Sequence, residues 1–272
     1  MKKLLFSLAV VMLMVSSLSA YDISSVSVGF LQRLNTSEEE FGRVIQDSDR
    51  TTGWNLLSNR HELYGVRFFD SLMMMQMALS KSEVDEIALP EAAAEYLIKA
   101  NPDFEACCVA ATRHPMALAF GFRKDNAALV SNFNRALRAM EEDRTLAELQ
   151  GVYIYNSGIT KPVTFDKFEG ADTVRVAVTG DLPPIDYVDE SGKPAGFNAA
   201  LLAELGRRMQ VNIELVNAEA GARTAALVSG RADVVFWYET VQGVAWGYDA
   251  SEGVLLSDPY FSWNKFLHIR KK

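Results

Sequence analysis

From residue 174 onward the chain alternates short β-branched runs with amphipathic helical stretches, and that alternation leaves few folds open. In TVRVAV, Val174, Val176 and Val178 share one face, as a strand against a core requires. GFNAALLAELGRRM then sets Leu201, Leu202, Leu205 and Met209 along one side of a helix, with Asn198 as its cap. VNIELV reads as a strand, GARTAALVSG as a short helix and RADVVF as a strand. Strands separated by helices predict an α/β fold with a mostly parallel sheet.

The earlier part of the chain has the same rhythm. Val26, Val28 and Phe30 alternate as in a half-buried strand, and Thr36 with Glu39, or Ser37 with Glu40, fits a capping box. A helix runs through SLMMMQMAL, where Met73, Met74, Met77 and Ala78 fall on one face expected to pack in the core. EVDEIAL is a strand and EAAAEYLIKANPDF a helix stopped by Asn-Pro. MALAFGFRKDN is a strand with Leu118, Phe120 and Phe122 on one face. Two helices follow, the first striped by Leu129, Phe133, Leu137 and Met140, the second capped by Thr145 and Glu148. Residues 156–173 are polar and rich in turn formers, and read as a linker.

Residues 1–20 stand apart. Lys2 and Lys3 precede an apolar run from Leu4 to Val15, and small residues end at Ala20. That is a secretory signal layout, with cleavage expected near Ala20 and a periplasmic mature chain. The run is shorter than the roughly 20 residues that span a bilayer. Cleavage leaves 252 of the 272 residues and takes the net charge from −8 to −10. An acidic chain of mixed charge is a poor partner for nucleic acid. Cys107 and Cys108 are adjacent, which disfavours a bridge between them, and read as two small buried residues. His61, His114 and His268 are scattered, and no metal-ligand spacing appears. No cofactor is implied.

Several longer words in the chain carry a resemblance. VRVAVTGDLPPIDYVDESGKPAGFNAALLAELGRRMQVNIELV, ALVSGRADVVF and SDPYF resemble the first lobe of periplasmic solute-binding proteins of family 3, the amino-acid-type receptors of ABC importers. VGFLQRLNTSEEEF, VDEIALPEAAAEYLIKANPDF and FGFRKDNAALVSNFNRALRAMEEDRTLAEL resemble the part that normally comes later. The order is therefore reversed, and the chain looks like a circularly permuted member. The resemblance implies a type II, two-lobed periplasmic-binding-protein-like α/β fold with a two-strand hinge. It divides the chain into a signal peptide (1–20), the family's second lobe (21–116), a hinge strand with helices that pack on the first lobe (117–155), a permutation linker (156–173), the first lobe (174–264) and a returning hinge strand (265–272). Permutation is tolerated where old termini meet and new ones fall in exposed loops. The competing arrangement is a fusion of receptor pieces completed by domain swapping.

The resemblance also implies where a ligand sits, between the lobes at strand ends, with hinge closure around it. In the first lobe it points to Thr179, Asp181 and Leu182, the last standing where the family has an aromatic platform. After RADVVF it points to Trp237, Tyr238, Glu239 and Thr240, although small hydroxyl residues are usual there. The family's carboxylate-gripping arginine is missing, for no Arg or Lys lies between Arg231 and Lys265. In the second lobe it points to Arg33, Asn35 and Thr36 in the anion loop, and to Glu91 beside Pro90, where an acid usually accepts the ligand amine. Both anchors of a zwitterionic amino acid are thus displaced. Trp237, Tyr238, Trp246 and Tyr248 suggest an aromatic-lined cleft.

The expected function is capture of a small polar or aromatic solute, other than an ordinary α-amino acid, for uptake through an inner-membrane ABC permease. The protein is expected to be a monomer and not an enzyme. One alternative is a ligand-free receptor-like module acting through a protein partner. Another is a cyclic-acid dehydratase-like enzyme, with Glu239 and Glu91 as acid/base groups.

Overall fold

The computed structural model describes residues 26–31, 37–39, 64–156, 163–241 and 253–272. The signal segment, Arg33, Asn35, Thr36, Trp246, Tyr248 and the middle of the linker lie outside them. Among the described residues no helix is long and apolar enough to cross a membrane.

Nine of the strands form one mixed sheet. Its first half is parallel: β1 (Val26–Leu31) lies between β2 (Tyr64–Phe69) and β3 (Glu86–Pro90). Its other half contains β5 (Thr173–Val178), β9 (Asn212–Asn217) and β10 (Val234–Val241), with β5 parallel to both neighbours. Between the halves run two antiparallel strands, β4 (Phe104–Arg123) and β12 (Phe261–Lys271). β12 continues the first half through its pairing with β3, and β4 continues the second through β10 and the short β11 (Val254–Leu256). The hairpin strands β6 (Asp181–Leu182), β7 (Asp186–Val188) and β8 (Pro194–Ala195) form a separate small sheet.

Helices cover each half, giving the two-lobed α/β architecture. α1 (Leu72–Ser80) and α2 (Glu91–Ala100) pack on the first half. α3 (Ala127–Glu142) buries Phe133, Ala136, Leu137 and Met140, one stripe at helical spacing, against the second. α4 (Thr145–Gln150) and a π-helical turn (Gly151–Tyr155) follow. α5 (Gly196–Met209) buries Leu201, Leu202 and Leu205, as its sequence stripe requires. α6 (Arg223–Val228) closes a small alanine-rich cluster on the opposite sheet face.

Four expectations are corrected. Met73, Met74 and Met77 are 69%, 50% and 50% exposed. The buried side of α1 is Leu72, Met75, Ala78 and Leu79, because the pattern LMMMQMAL fits two apolar faces equally well and the sheet takes the one with two leucines. Asn198 does not cap α5: Ala195 holds that position, and Asn198 sits inside the first turn, fully buried, with neither side-chain amide atom hydrogen-bonded. Thr145 does not cap α4 either, since Arg144 does so in the left-handed region while Asp143 Oδ1 accepts from Thr145 N. Cys107 is only half-buried, at the start of the long β4, with its Sγ 3.4 Å from the His268 carbonyl.

Charge pairs tie distant segments of the second half. Arg175 reaches Asp233 through Nε–Oδ2 and Nη2–Oδ1 contacts of 3.0 and 2.9 Å. Arg208 Nη2 lies 2.7 Å from Asp143 Oδ2. Hydrogen bonds from Thr145 and then Arg208 hold the Asp143 carboxyl down to about 2. Burial works against the charge of Asp233, and the bonds from Arg175 still pull its carboxyl below the usual range. A carboxyl lowered in the fold stabilises it above the unfolded value and loses that contribution as pH falls through the folded value. Stability is therefore expected to decline from about pH 4 towards pH 2, read as a falling urea midpoint. Asp143→Asn should flatten the acid end of that profile.

Candidate functional site

A cavity of about 620 Å³ lies between the lobes. One wall is α1 and α2; the other is the turn after β5 together with the β6–β7–β8 hairpin. Local sequence explains the hairpin wall. Gly180 takes φ +72° at the end of β5, Pro183–Pro184 is cis, and Gly196 enters α5 at φ +89°. Such angles suit glycine because a side chain would meet the neighbouring carbonyl. The chain leaves the strand, runs through β6, turns at Pro183–Ile185 and returns along β7 under α5.

Asp181 is one point at which the lobes touch. Its Oδ2 accepts from Leu72 N at 2.7 Å. Leu72 opens α1, so its N–H is among the donors that a helix cannot satisfy internally. Ser71 Oγ accepts from Met74 N in the same turn. A helix N-terminus also favours a negative charge. The carboxylate of one lobe thus completes the helix cap of the other. Burial pushes the Asp181 carboxyl up, while the Leu72 bond and the charge of Arg223 pull it back. Deeper in, Asp186 is buried; its Oδ2 accepts from Gly180 N at 3.0 Å and Thr179 Oγ1 at 3.2 Å, and burial pushes its carboxyl up.

Removal of the Asp181 carboxylate should open the molecule. A lost charge-assisted bond is worth about 1.5–3 kcal/mol, which shifts the balance of open to closed forms by about one to two decades. Asp181→Ala is expected to raise the radius of gyration of the ligand-free protein in X-ray scattering.

The remaining residues singled out in the sequence are dispersed. Thr179 belongs to the layer behind the hairpin, through Asp186. Leu182 is fully buried and packs in the main core. Glu91 opens α2 and pairs with Lys265 Nζ at 3.3 Å, away from the cavity wall. Trp237, Tyr238, Glu239 and Thr240 are not in a loop: they continue β10, where Tyr238, Glu239 and Thr240 stand opposite Ala119, Leu118 and Ala117 of β4. The pairing shifts register between Val235 and Tyr238. Their side chains, like Arg33, Asn35 and Thr36, lie outside the description.

The cavity brings forward residues that the sequence reading passed over. Tyr96 of α2 and Tyr187 of β7 face each other across the lobes, ring centroids 6.4 Å apart and planes inclined 41°. Asp189 and Glu190 line the hairpin tip. Arg223 is a buried cation behind the hairpin, with Nη1 donating to the Phe236 carbonyl at 2.8 Å. A lone arginine in the apolar helix GARTAALV was the legible signal for it. Among the described residues no group of three His, Cys, Asp or Glu is placed to hold a metal ion.

Residues 174–272 match the bacterial extracellular solute-binding proteins, family 3. Over that span the chain is similar to the family 3 solute-binding proteins. Solved structures with similar coordinates include the ligand-binding component of an ABC-type import system from Staphylococcus aureus with zinc bound. It has a TM-score of 0.43 and 10% identity, over 91% of this chain and 66% of that one. The methionine-binding protein MetQ gives 0.40 and 12%, over 92% and 84%. A periplasmic substrate-binding protein of a Coxiella burnetii ABC transporter gives 0.39 and 13%, over 90% and 84%. Searching curated proteins gives no match.

Proposed function

We propose that the protein is a solute-binding receptor of an ABC-type importer, taking a small polar or aromatic solute into the cleft between its lobes. The observation that carries this reading is the cavity of about 620 Å³, one wall of which is the strand-end hairpin of the family-matching segment. Clefts at the carboxyl ends of parallel strands are where such folds take their ligands. An ordinary α-amino acid is disfavoured. The segment after β10 supplies no arginine for its carboxylate, and Glu91 is engaged by Lys265. In this reading residues 1–20 direct export and are cleaved near Ala20, and the mature protein works as a periplasmic monomer with an inner-membrane permease. The chain order is read as a circular permutation, with the family-matching segment following the lobe that elsewhere comes second.

One observation favours a second reading, a module that acts through a protein partner without a small ligand. The Asp181–Leu72 bond already joins the lobes. A thermal-shift screen against amines, amino acids, nucleobases and aromatic acids separates the two. A solute at about 100 times its dissociation constant adds about 2.7 kcal/mol of stability. A hit accompanied by compaction in X-ray scattering supports the receptor. A broad library without a hit sinks it in favour of the partner-binding module.

A further inference from the structure

Among the described residues that line the interlobe cavity, the charged ones are Asp181, Asp189 and Glu190, all acidic. Two cations among the described residues lie off this wall. Arg223 is buried behind the hairpin on the Phe236 carbonyl. Lys193 lies beyond the hairpin tip, where its backbone N–H donates to Asp189 Oδ1. Across this acidic wall stand two half-buried phenol rings from opposite lobes, Tyr96 and Tyr187, with the thioether of Met73 at the mouth.

We propose that the solute is a small organic cation without a carboxylate, a quaternary ammonium or an amine, held against the tilted ring pair of Tyr96 and Tyr187 and neutralised by Asp181, Asp189 and Glu190. This rests on the reading of the cavity as the solute site. An aromatic face attracts a cation through the ring quadrupole, and the attraction grows when water is excluded. Carboxylates around a cleft with low-dielectric walls concentrate cations and repel anions. Rings carried by opposite lobes, here 6.4 Å apart, can both touch one cation only while the lobes stay together, which couples binding to closure. The protein's own groups respond to the same field. Burial, then Tyr96 and Asp189, push the Tyr187 phenol up, and burial pushes the Asp181 carboxyl up, so added negative charge is unwelcome here. A zwitterionic or anionic solute would bring its carboxylate against this wall.

The test is titration calorimetry of the full chain with tetramethylammonium, choline and putrescine. The comparison probes are 3,3-dimethylbutanol, the neutral isostere of choline, and glutamate, with X-ray scattering on each mixture. The cations are expected to bind at least about tenfold tighter than the neutral isostere. Tyr96→Leu and Tyr187→Leu should each weaken cation binding by about three- to thirtyfold, whereas Tyr96→Phe and Tyr187→Phe, which keep the ring face, should not. Equal affinity for choline and its isostere overturns the cation assignment. So does tighter binding of glutamate, or cation binding indifferent to both leucine variants. In each of those cases closure on the solute that does bind leaves the receptor reading intact. If no probe binds and no member of a broad solute library closes the lobes, the receptor reading and the cation assignment fall together.

Discussion

Phe120→Ala is expected to lower stability by about 3–5 kcal/mol, the range for a large aromatic removed from a packed interior. Phe120 is fully buried near the end of β4. Its ring centroid lies 5.1 Å from Phe133, 4.7 Å from Phe236 and 4.6 Å from Tyr260. Those partners come from α3, from β10 and from the approach to β12, so one side chain joins segments far apart in sequence. Ser257 adds to the joint, for its Oγ accepts from Phe120 N and its N donates to the Phe120 carbonyl. Urea titration of the variant should show the lost stability, and Phe120→Leu should lose much less. An alanine variant within 1 kcal/mol of the parent would show that this cluster does not hold the lobe together.

Gly196→Ala is the second large effect, from a smaller change. The residue sits at φ +89°, where an L-residue is strained by about 1–2 kcal/mol. A methyl there would lie 2.6 Å from the Pro184 carbonyl and 3.0 Å from that of Ile185, both backbone atoms. Overpacking of this kind adds about 1–3 kcal/mol, so with the backbone strain a loss of about 2–5 kcal/mol is expected. The clash also pushes on the hairpin that carries Tyr187 and Asp189. Ligand binding should therefore weaken beyond what stability alone explains, a split that calorimetry on the folded fraction can read.

Much of the fold was legible because period and burial agreed. α3 and α5 bury the stripes that their spacing sets out, and β5, β9 and β10 fall where β-branched runs stand. Where two faces were equally apolar, spacing had no vote. On α1 the choice between Met73, Met74 and Met77 and the leucine side was made by the sheet. Asn198 looked like a cap because asparagine favours that role, but the left-handed entry at Gly196 starts the helix three residues earlier. The site was harder to read. Asp181 was visible as a strand-end acid, yet its partner, the first N–H of α1, is 109 residues away and depends on how the lobes meet. Tyr96 and Tyr187 carry no local signal at all: each is an ordinary tyrosine on its own element, and only tertiary structure pairs them.

The shared strands have a mechanical consequence. Along β12 and β4 the ladder steps from Trp263 opposite Met116 to Lys265 opposite Ala111, so residues 112–115 of one strand face the single residue 264 of the other. On one side of that step β12 is welded to β3, and on the other β4 is welded to β10 and β11. The lobes are thus coupled like plates on a torsion bar whose weak turn lies between them. A twist between them is expected to concentrate at residue 264, its stiffness set by the bulged backbone of two continuous strands rather than by a slack tether.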